Sequence, residues 1–327
     1  MKILIIRFSS IGDMTQALSI PGLIKAVQPE TEIHFVTRQD YAELAQNNPS
    51  IHRLWVLDKN TGFRGLLRLI SHLKNENFTH IYDAHNNLRS FLIRTLLIGP
   101  QKLVRPMMRI KRFLLLQFHI NLFEKPFSGQ RDLLKPLEKW GFPFSLPPTP
   151  QIFLDQKTRD DSADLQKKHG LLNYCILVPS AAYELKRWPM TSWQKLVQLH
   201  PEIQFVVLAG KTDLFTHALD HFKNIVNLTG KTTLLQSAGL IQSAKAVVSN
   251  DTGLLHISEQ LGIPAIALMG PAPFGFPSRP STMILERNLK CRPCSKHGQG
   301  PCVNPRFQEC LQSITAEEVT QKLKTLL

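Results

Sequence analysis

The sequence predicts two α/β domains, each an open parallel sheet with helices on both faces. Short apolar runs alternate with helical patterns through the first hundred residues, and the same alternation resumes after residue 170. Between them Gly141-Phe142-Pro143-Phe144-Ser145-Leu146-Pro147-Pro148-Thr149-Pro150 has the proline density of a linker. The expected boundary divides 1–153 from 154–327. With 327 residues and 43% apolar content, each domain has chain enough for its own core.

The first strand is Ile3 to Phe8, an apolar run ending in a charged residue and an aromatic. Glu32 to Val36, Leu54 to Leu57 and His80 to Asp83 follow as strands. Gln16 to Val27, Tyr41 to Gln46 and Phe63 to His72 each bury an apolar stripe at helical spacing. In the second half the strands are Cys175 to Val178, Phe205 to Leu208, Ile225 to Leu228, Ala246 to Val248 and Ala265 to Leu268. Helices are expected at Ser192 to Leu199 and Thr233 to Gln242, and a last one, Ala316 to Leu326, is placed either on its own domain or back on the first.

The formal net charge of +14 calls for an anionic partner: nucleic acid, acidic membrane or a phosphorylated glycan. From Asp83 to Glu124 there is no acidic residue between, but there are Arg89, Arg94, Lys102, Arg105, Arg109, Lys111 and Arg112, interleaved with Phe91, Met107, Met108, Phe113 and Phe118. Such a segment suits an anionic membrane interface or an amphiphilic anionic substrate, and equally a solvated helix face over an ordinary core. No nucleic-acid motif accompanies it, so no nucleic-acid partner is expected. No apolar run reaches bilayer length and the first residues form a strand rather than a leader, so a cytoplasmic location is expected.

Cys175 lies in an apolar strand. Cys291, Cys294, Cys302 and Cys310 follow the spacing C-x2-C-x7-C-x7-C. The first half is a metal knuckle, but the second lacks a matching CxxC, so reduced thiols packing an irregular loop are expected in preference to a structural zinc site.

Two strand-to-helix junctions carry the chemistry. Ser249-Asn250-Asp251-Thr252-Gly253-Leu254-Leu255-His256 leaves the strand at Val248 and opens a helix whose free first-turn N–H groups and dipole suit a diphosphate; it also fits an ordinary N-cap. At the other end of the chain, Ser9-Ser10-Ile11-Gly12-Asp13 follows the first strand. Asp13 there either caps its own helix or accepts a proton from a substrate hydroxyl. In doubly wound folds such junctions lie at the ligand-binding ends of the sheets. Lys186 and Arg187, after the first strand of the second domain, are solvent-exposed cations or reach a diphosphate near Thr252 and Gly253. Asp213, after Phe205 to Leu208, sits where acidic residues bind ribose hydroxyls.

In this order, Phe8-Ser9-Ser10-Ile11-Gly12-Asp13, Lys186-Arg187-Trp188-Pro189, Asn250-Asp251-Thr252-Gly253-Leu254-Leu255-His256, Gly262-Ile263-Pro264 and Cys291-Arg292-Pro293-Cys294 resemble the glycosyltransferase family 9 heptosyltransferases of lipopolysaccharide core synthesis. The resemblance spans the chain. It implies a GT-B fold, two Rossmann-like domains facing across a cleft, with the acceptor on the first domain and the donor on the second. It further implies inverting, metal-independent transfer from ADP-heptose to a lipid-linked anionic core oligosaccharide at the cytoplasmic face of the inner membrane. By position Asp13 is then the general base and Lys186 a diphosphate contact. Ser10, Gly12, Asp213, Asp251, Thr252, Gly253, Leu254 and His256 are then substrate-binding residues. Asp213 stands where the family commonly has glutamate, and Ala181 and Ala182 where some members carry hydroxyls, so another nucleotide sugar, another acceptor or a non-catalytic glycan- or membrane-binding role are the alternatives.

Overall fold

The computed structural model describes all residues from Met1 to Leu327. It divides into two compact units: Met1–Met108 with Gly129–Phe153, and Arg109–Ser128 with Leu154–Leu327.

In the first unit, β1 (Lys2–Ile6), β2 (Glu32–Arg38), β3 (Arg53–Leu57), β4 (His80–Asp83) and β5 (Gln101–Val104) form a wholly parallel sheet in the order β3-β2-β1-β4-β5. Ile3 to Ile6 are completely buried because β1 is central and covered on both faces, which is why its sequence is apolar without alternation. The unit's helices are α1 (Ile11–Ala17), α2 (Ser19–Val27), α3 (Gly62–Lys74), α4 (Leu88–Leu96) and α6 (Gly129–Leu134), while α5 (Arg109–Phe118), between α4 and α6 in sequence, belongs to the second unit. In α3, Leu66, Leu69, Ile70 and Leu73 recur at helical spacing and join the core around Leu4, Ile6, Val36 and Ile81. Each such side chain contributes about 1.5–3 kcal/mol by leaving water.

The helix expected from Gln16 to Val27 is two, separated at Leu18, and the first begins earlier, at Ile11. Pro21 is the third residue of α2; it has no N–H, and its ring crowds the carbonyl of Ala17, so a continuous helix is broken there. Tyr41 to Gln46 falls largely in a 3-10 turn, Gln39–Leu44.

In the second unit, β6 (Cys175–Val178), β7 (Phe205–Val207), β8 (Ile225–Asn227), β9 (Val247–Asn250), β10 (Ala265–Leu268) and β11 (Thr282–Leu285) are again parallel, in the order β11-β10-β9-β6-β7-β8. Its helices are α7 (Gln156–Lys168), α8 (Met190–Gln198), α9 (Leu234–Gln242), α10 (Gly253–Leu261), α11 (Glu309–Gln312) and α12 (Ala316–Lys324). Both sheets therefore have the doubly wound order, with the direction of winding reversing between β1 and β4 and between β6 and β9.

Two points bear on how the chain divides. The last helix does not return to the first unit: Ala316, Val319 and Leu323 of α12 are buried in the second unit's core with Trp193, Leu196 and Val207, and the Trp188 indole N–H donates to the Ile314 carbonyl at 2.9 Å. The first domain is also not the continuous stretch 1–153, because Arg109–Ser128 packs with the second unit. Phe123 and Phe127 meet Phe274 edge-on, the Arg112 guanidinium lies 4.6 Å from the Phe274 ring centre, and Ser128 Oγ donates to Ser278 Oγ at 2.8 Å. Phe123, Phe127 and Arg112 give this stretch its partner, and the basic segment is divided between the two units.

Candidate active site

β1 runs out at Ile6, and Arg7, Phe8, Ser9 and Ser10 lead into α1, with Asp13 in its first turn. Ser10 occupies the cap position without capping; its hydroxyl donates instead to Asp13 Oδ2 at 3.1 Å. Asp13, in the first turn, accepts from the Ser10 backbone as well as from its hydroxyl. Its Oδ2 pairs with Arg7 Nη2 at 2.7 Å and its Oδ1 faces Arg105 Nη1 at 4.0 Å. Arg7 is only 5% exposed and donates through Nη1 to the Ala84 carbonyl at 2.7 Å, so the guanidinium is fixed from both ends. Burial opposes ionisation of Asp13, but the charges of Arg7 and Arg105 and the Ser10 hydrogen bond outweigh it, and the carboxyl sits below its usual range. The side chain keeps 42% of its surface exposed, so an ionised oxygen remains accessible.

β4, the neighbour of β1 across the reversal, delivers Asp83, Ala84 and His85 to the same end of the sheet. Asp83 is fully buried and accepts the N–H groups of His85 and Asn86 at 3.1 and 2.7 Å. Burial, and then the nearby Arg7 charge, pushes the His85 imidazole down to about 4, so it is neutral at pH 7. Arg105, expected as part of a surface charge stripe, is instead half-buried here between Asp13 and Asp132, the latter at 3.8 Å.

In the second unit, β6 leads through Pro179 and Ser180 to a 3-10 turn, Glu184–Lys186, and β9 leads through Asp251 and Thr252 to α10. Lys186 Nζ meets Asp251 Oδ2 at 2.5 Å, with only 14% and 7% of the two side chains exposed, which excludes the reading of Lys186 as a solvated surface cation. The two turns are clipped together by Asn250, fully buried: its Oδ1 accepts from Trp188 N at 3.0 Å and its Nδ2 donates to the Pro179 carbonyl at 2.7 Å. Thr252 stands in the cap position with extended backbone and makes no side-chain cap, leaving the first-turn amides of α10 open to an anion. Gly253 begins that helix, and Leu254 is half-buried beside it. His256, 4% exposed, has Nδ1 3.0 Å from Glu259, whose other oxygen accepts the Ser278 and Arg279 amides; it braces α10 from inside. Asp213 Oδ2 accepts from Gly210 N at 3.0 Å and its Oδ1 faces Arg187 Nη2 at 3.5 Å.

Of the sequence-predicted residues, Ser10, Gly12 and Asp13 thus share the β1 end of the first sheet. Lys186, Asp213, Asp251, Thr252, Gly253, Leu254 and His256 belong to turns and helices that follow strands of the second. Arg7, His85, Arg105 and Asn250 were not predicted. The one available signal was Arg7, a charge directly after four buried residues of a central strand.

Two doubly wound parallel sheets, each with its polar residues gathered where the winding reverses, define a protein of the nucleotide-binding α/β type. Residues 66–301 match glycosyltransferase family 9 (heptosyltransferase), and the chain belongs to that family. It is 25% identical to lipooligosaccharide heptosyltransferase 2 of Haemophilus ducreyi, over 100% of this chain and 99% of that one. It is 27% identical to the lipopolysaccharide core heptosyltransferase OpsX of Haemophilus influenzae, over 81% and 77%. Among solved structures, a family 9 glycosyltransferase from Veillonella parvula superposes with a TM-score of 0.82 at 20% identity, covering 99% of this chain and 96% of that one. Heptosyltransferase II of E. coli gives 0.74 at 22% identity, covering 100% and 98%. The fold is GT-B, and the protein is a glycosyltransferase.

Proposed function

We propose that the protein transfers heptose from ADP-heptose to the lipid-linked inner core of lipopolysaccharide, with inversion at the anomeric carbon and without a catalytic metal. The observation that carries this reading is the Asp13 carboxylate, kept ionised and accessible by Arg7, Arg105 and Ser10. An acceptor hydroxyl becomes acidic as it attacks the anomeric carbon, so a carboxylate of low basicity takes its proton as the new bond forms. The anomeric bond to the diphosphate breaks in the same step, and the negative charge passes to the departing ADP. Lys186 and the open amides at the start of α10 meet that charge in place of a divalent ion. A diphosphate there competes with Asp251 for the Lys186 ammonium, so donor binding exchanges one ion pair for another. Asp213 and Arg187 serve the nucleoside side of the same turn.

The relatives carry heptosyltransferase names, and the ADP-heptose donor and the core acceptor are taken from that kinship. No helix is long and apolar enough to cross a membrane. We place the protein as a peripheral enzyme at the cytoplasmic membrane face, where a lipid-linked acceptor is presented.

The test is transfer and donor hydrolysis measured with a panel of ADP- and other nucleotide sugars, with and without core acceptors, in the presence of EDTA. Transfer from ADP-heptose in EDTA, with the opposite anomeric configuration in the product, is expected. Preference for another nucleotide sugar, retention of configuration, or a requirement for added Mg²⁺ or Mn²⁺ each overturns the corresponding part of the reading.

A further inference from the structure

The four cysteines spaced along Cys291 to Cys310 take no part in the chemistry above, yet the fold gathers them. All four border one cavity of about 10 Å³, lined also by Leu185, Pro271, Arg292 and Glu309. That space holds a single ion or water and no multi-iron cluster. Donors are already aimed at two of the sulfurs: Asn304 Nδ2 stands 3.4 Å from Cys291 Sγ, and the Gln308 N–H points at Cys302 Sγ at 3.2 Å. Gln308 adopts the left-handed region, φ 53°, in doing so. A neutral thiol is a weak acceptor and a metal-bound sulfur a stronger one, so these donors suit a ligated state.

We propose that Cys291, Cys294, Cys302 and Cys310 bind one thiophilic metal ion, zinc or mononuclear iron, as a tetrathiolate site. Binding exchanges protons for metal: one M²⁺ replaces four S–H protons, giving a site of net charge two minus and four protons released. Arg292, between the first two ligands in sequence, lines the cavity while its Nη2 pairs with Glu286 at 3.1 Å.

A second group with ligating atoms, Glu32, His34 and His52, already lies within 4.8 Å of one another. A cation fills that place, however, since Lys2 Nζ is 3.0 Å from Glu32 Oε1, and Trp55 occupies His34 Nδ1. No three of the cysteine sulfurs lie within 4.8 Å of one another, so the proposed ion requires the loop to close on it.

The position of the loop gives the ion a consequence. Gln308 Nε2 donates to the Glu184 carbonyl at 2.9 Å, Gln299 Nε2 to the Tyr183 hydroxyl at 2.7 Å, and a Cβ on Gly298 would come within 2.7 Å of Lys186 Cγ. The cysteine loop is the bed on which the Lys186 turn rests. The metal is structural, and its existence does not depend on the proposed reaction.

Full-length protein, purified without added metal, is examined by elemental analysis and X-ray absorption. About one zinc or iron per chain is expected, with sulfur neighbours only, at about 2.3 Å for zinc. Cys294→Ser and Cys302→Ser should each lower metal retention at least tenfold under dialysis, while Cys175→Ala leaves it unchanged. If the serine variants do not fold, the wild-type spectrum still decides. Either metal in an all-sulfur shell supports the site. Metal-free protein whose four thiols react with Ellman's reagent equally fast before and after anaerobic addition of Zn²⁺ or Fe²⁺ overturns it, as does oxygen or nitrogen coordination, or two or more irons with labile sulfide. A tetrathiolate ion exchanges slowly with EDTA, so the chelator arm of the transfer assay tests the reaction and this experiment tests the ion.

Discussion

Asp13 owes its state to a pair of arginines that reach it from opposite directions in sequence. Arg7 arrives on the same strand exit and Arg105 from beyond β5. Asp13→Asn keeps the shape and removes the proton acceptor; turnover is expected to fall by about 10² to 10⁴ with ADP affinity retained, read by steady-state kinetics and calorimetry. Near-normal turnover would leave the carboxylate a purely structural partner of Arg7. Replacing Arg7 by methionine removes the nearest counter-charge while burial remains, so the Asp13 pKa rises. The base form exists above that pKa, and the acidic limb of the kcat/KM–pH profile should move upward by about 1–3 units. An unmoved limb assigns the ionisation to another group. The linked stability has the same sign: with its folded pKa depressed, Asp13 stabilises the native state above the ordinary carboxylate range, and that contribution is lost as pH falls through the folded value. Asp13 and Lys186 stood out only through the motifs shared with the family, since position alone favoured a helix cap for the one and a solvent-exposed cation for the other. Arg105 did not, because its charge reads identically whether it faces solvent or a carboxylate brought near by the β1–β4–β5 pairing.

The clip made by Asn250 sets the geometry of two turns at once. Asn250→Ala leaves the Trp188 amide and the Pro179 carbonyl without partners in a dry site, at a cost of about 1–3 kcal/mol for each group. Urea denaturation should register that loss, and ADP affinity should fall because Lys186 and the start of α10 no longer share a fixed frame. Stability lost with affinity intact would show that the turns hold their relation by other means. Lys186→Ala should weaken ADP binding directly and, because it leaves the buried Asp251 carboxylate without its ammonium, should also lower the unfolding midpoint; ADP affinity that stays intact would assign the lysine to Asp251 alone. At the level of elements the sequence was most readable where strands are central and buried. The edge strands β5 and β11 escaped it, because Gln101-Lys102-Leu103-Val104 and Thr282-Met283-Ile284-Leu285 are short and only partly apolar. The break at Leu18 needed the proline's effect on the preceding turn, which an apolar stripe does not reveal.

For the molecule as a whole, the excess of positive charge and the apolar surface around α5 bear on where the enzyme works. Ile110, Phe113 and Phe118 are 76%, 57% and 61% exposed, on a helix that also carries Arg109, Lys111 and Arg112. Binding to vesicles containing anionic lipid is expected. It should weaken as salt shortens the screening length to about 8 Å at physiological ionic strength, and Ile110→Asp with Phe113→Asp should reduce it further. Cosedimentation across a salt series measures this, and binding that ignores both changes would move the membrane contact elsewhere. Arg105 does not belong in such a test, since it answers to Asp13.

The interruption of the first unit by Arg109–Ser128 has a bearing on how the chain is made. On the ribosome this stretch emerges between two portions of the first sheet's unit, yet Phe274 and Ser278, against which it packs, are synthesised much later. The early unit therefore matures carrying a greasy, cationic excursion with nothing to rest on, held between its own β5 and α6. Domains generally fold as units in order of synthesis, and exposed apolar chain is what makes a nascent intermediate adhesive. For this protein the interval before Phe274 appears is the stretch of its life in which association with a chaperone or an anionic bilayer has most to offer.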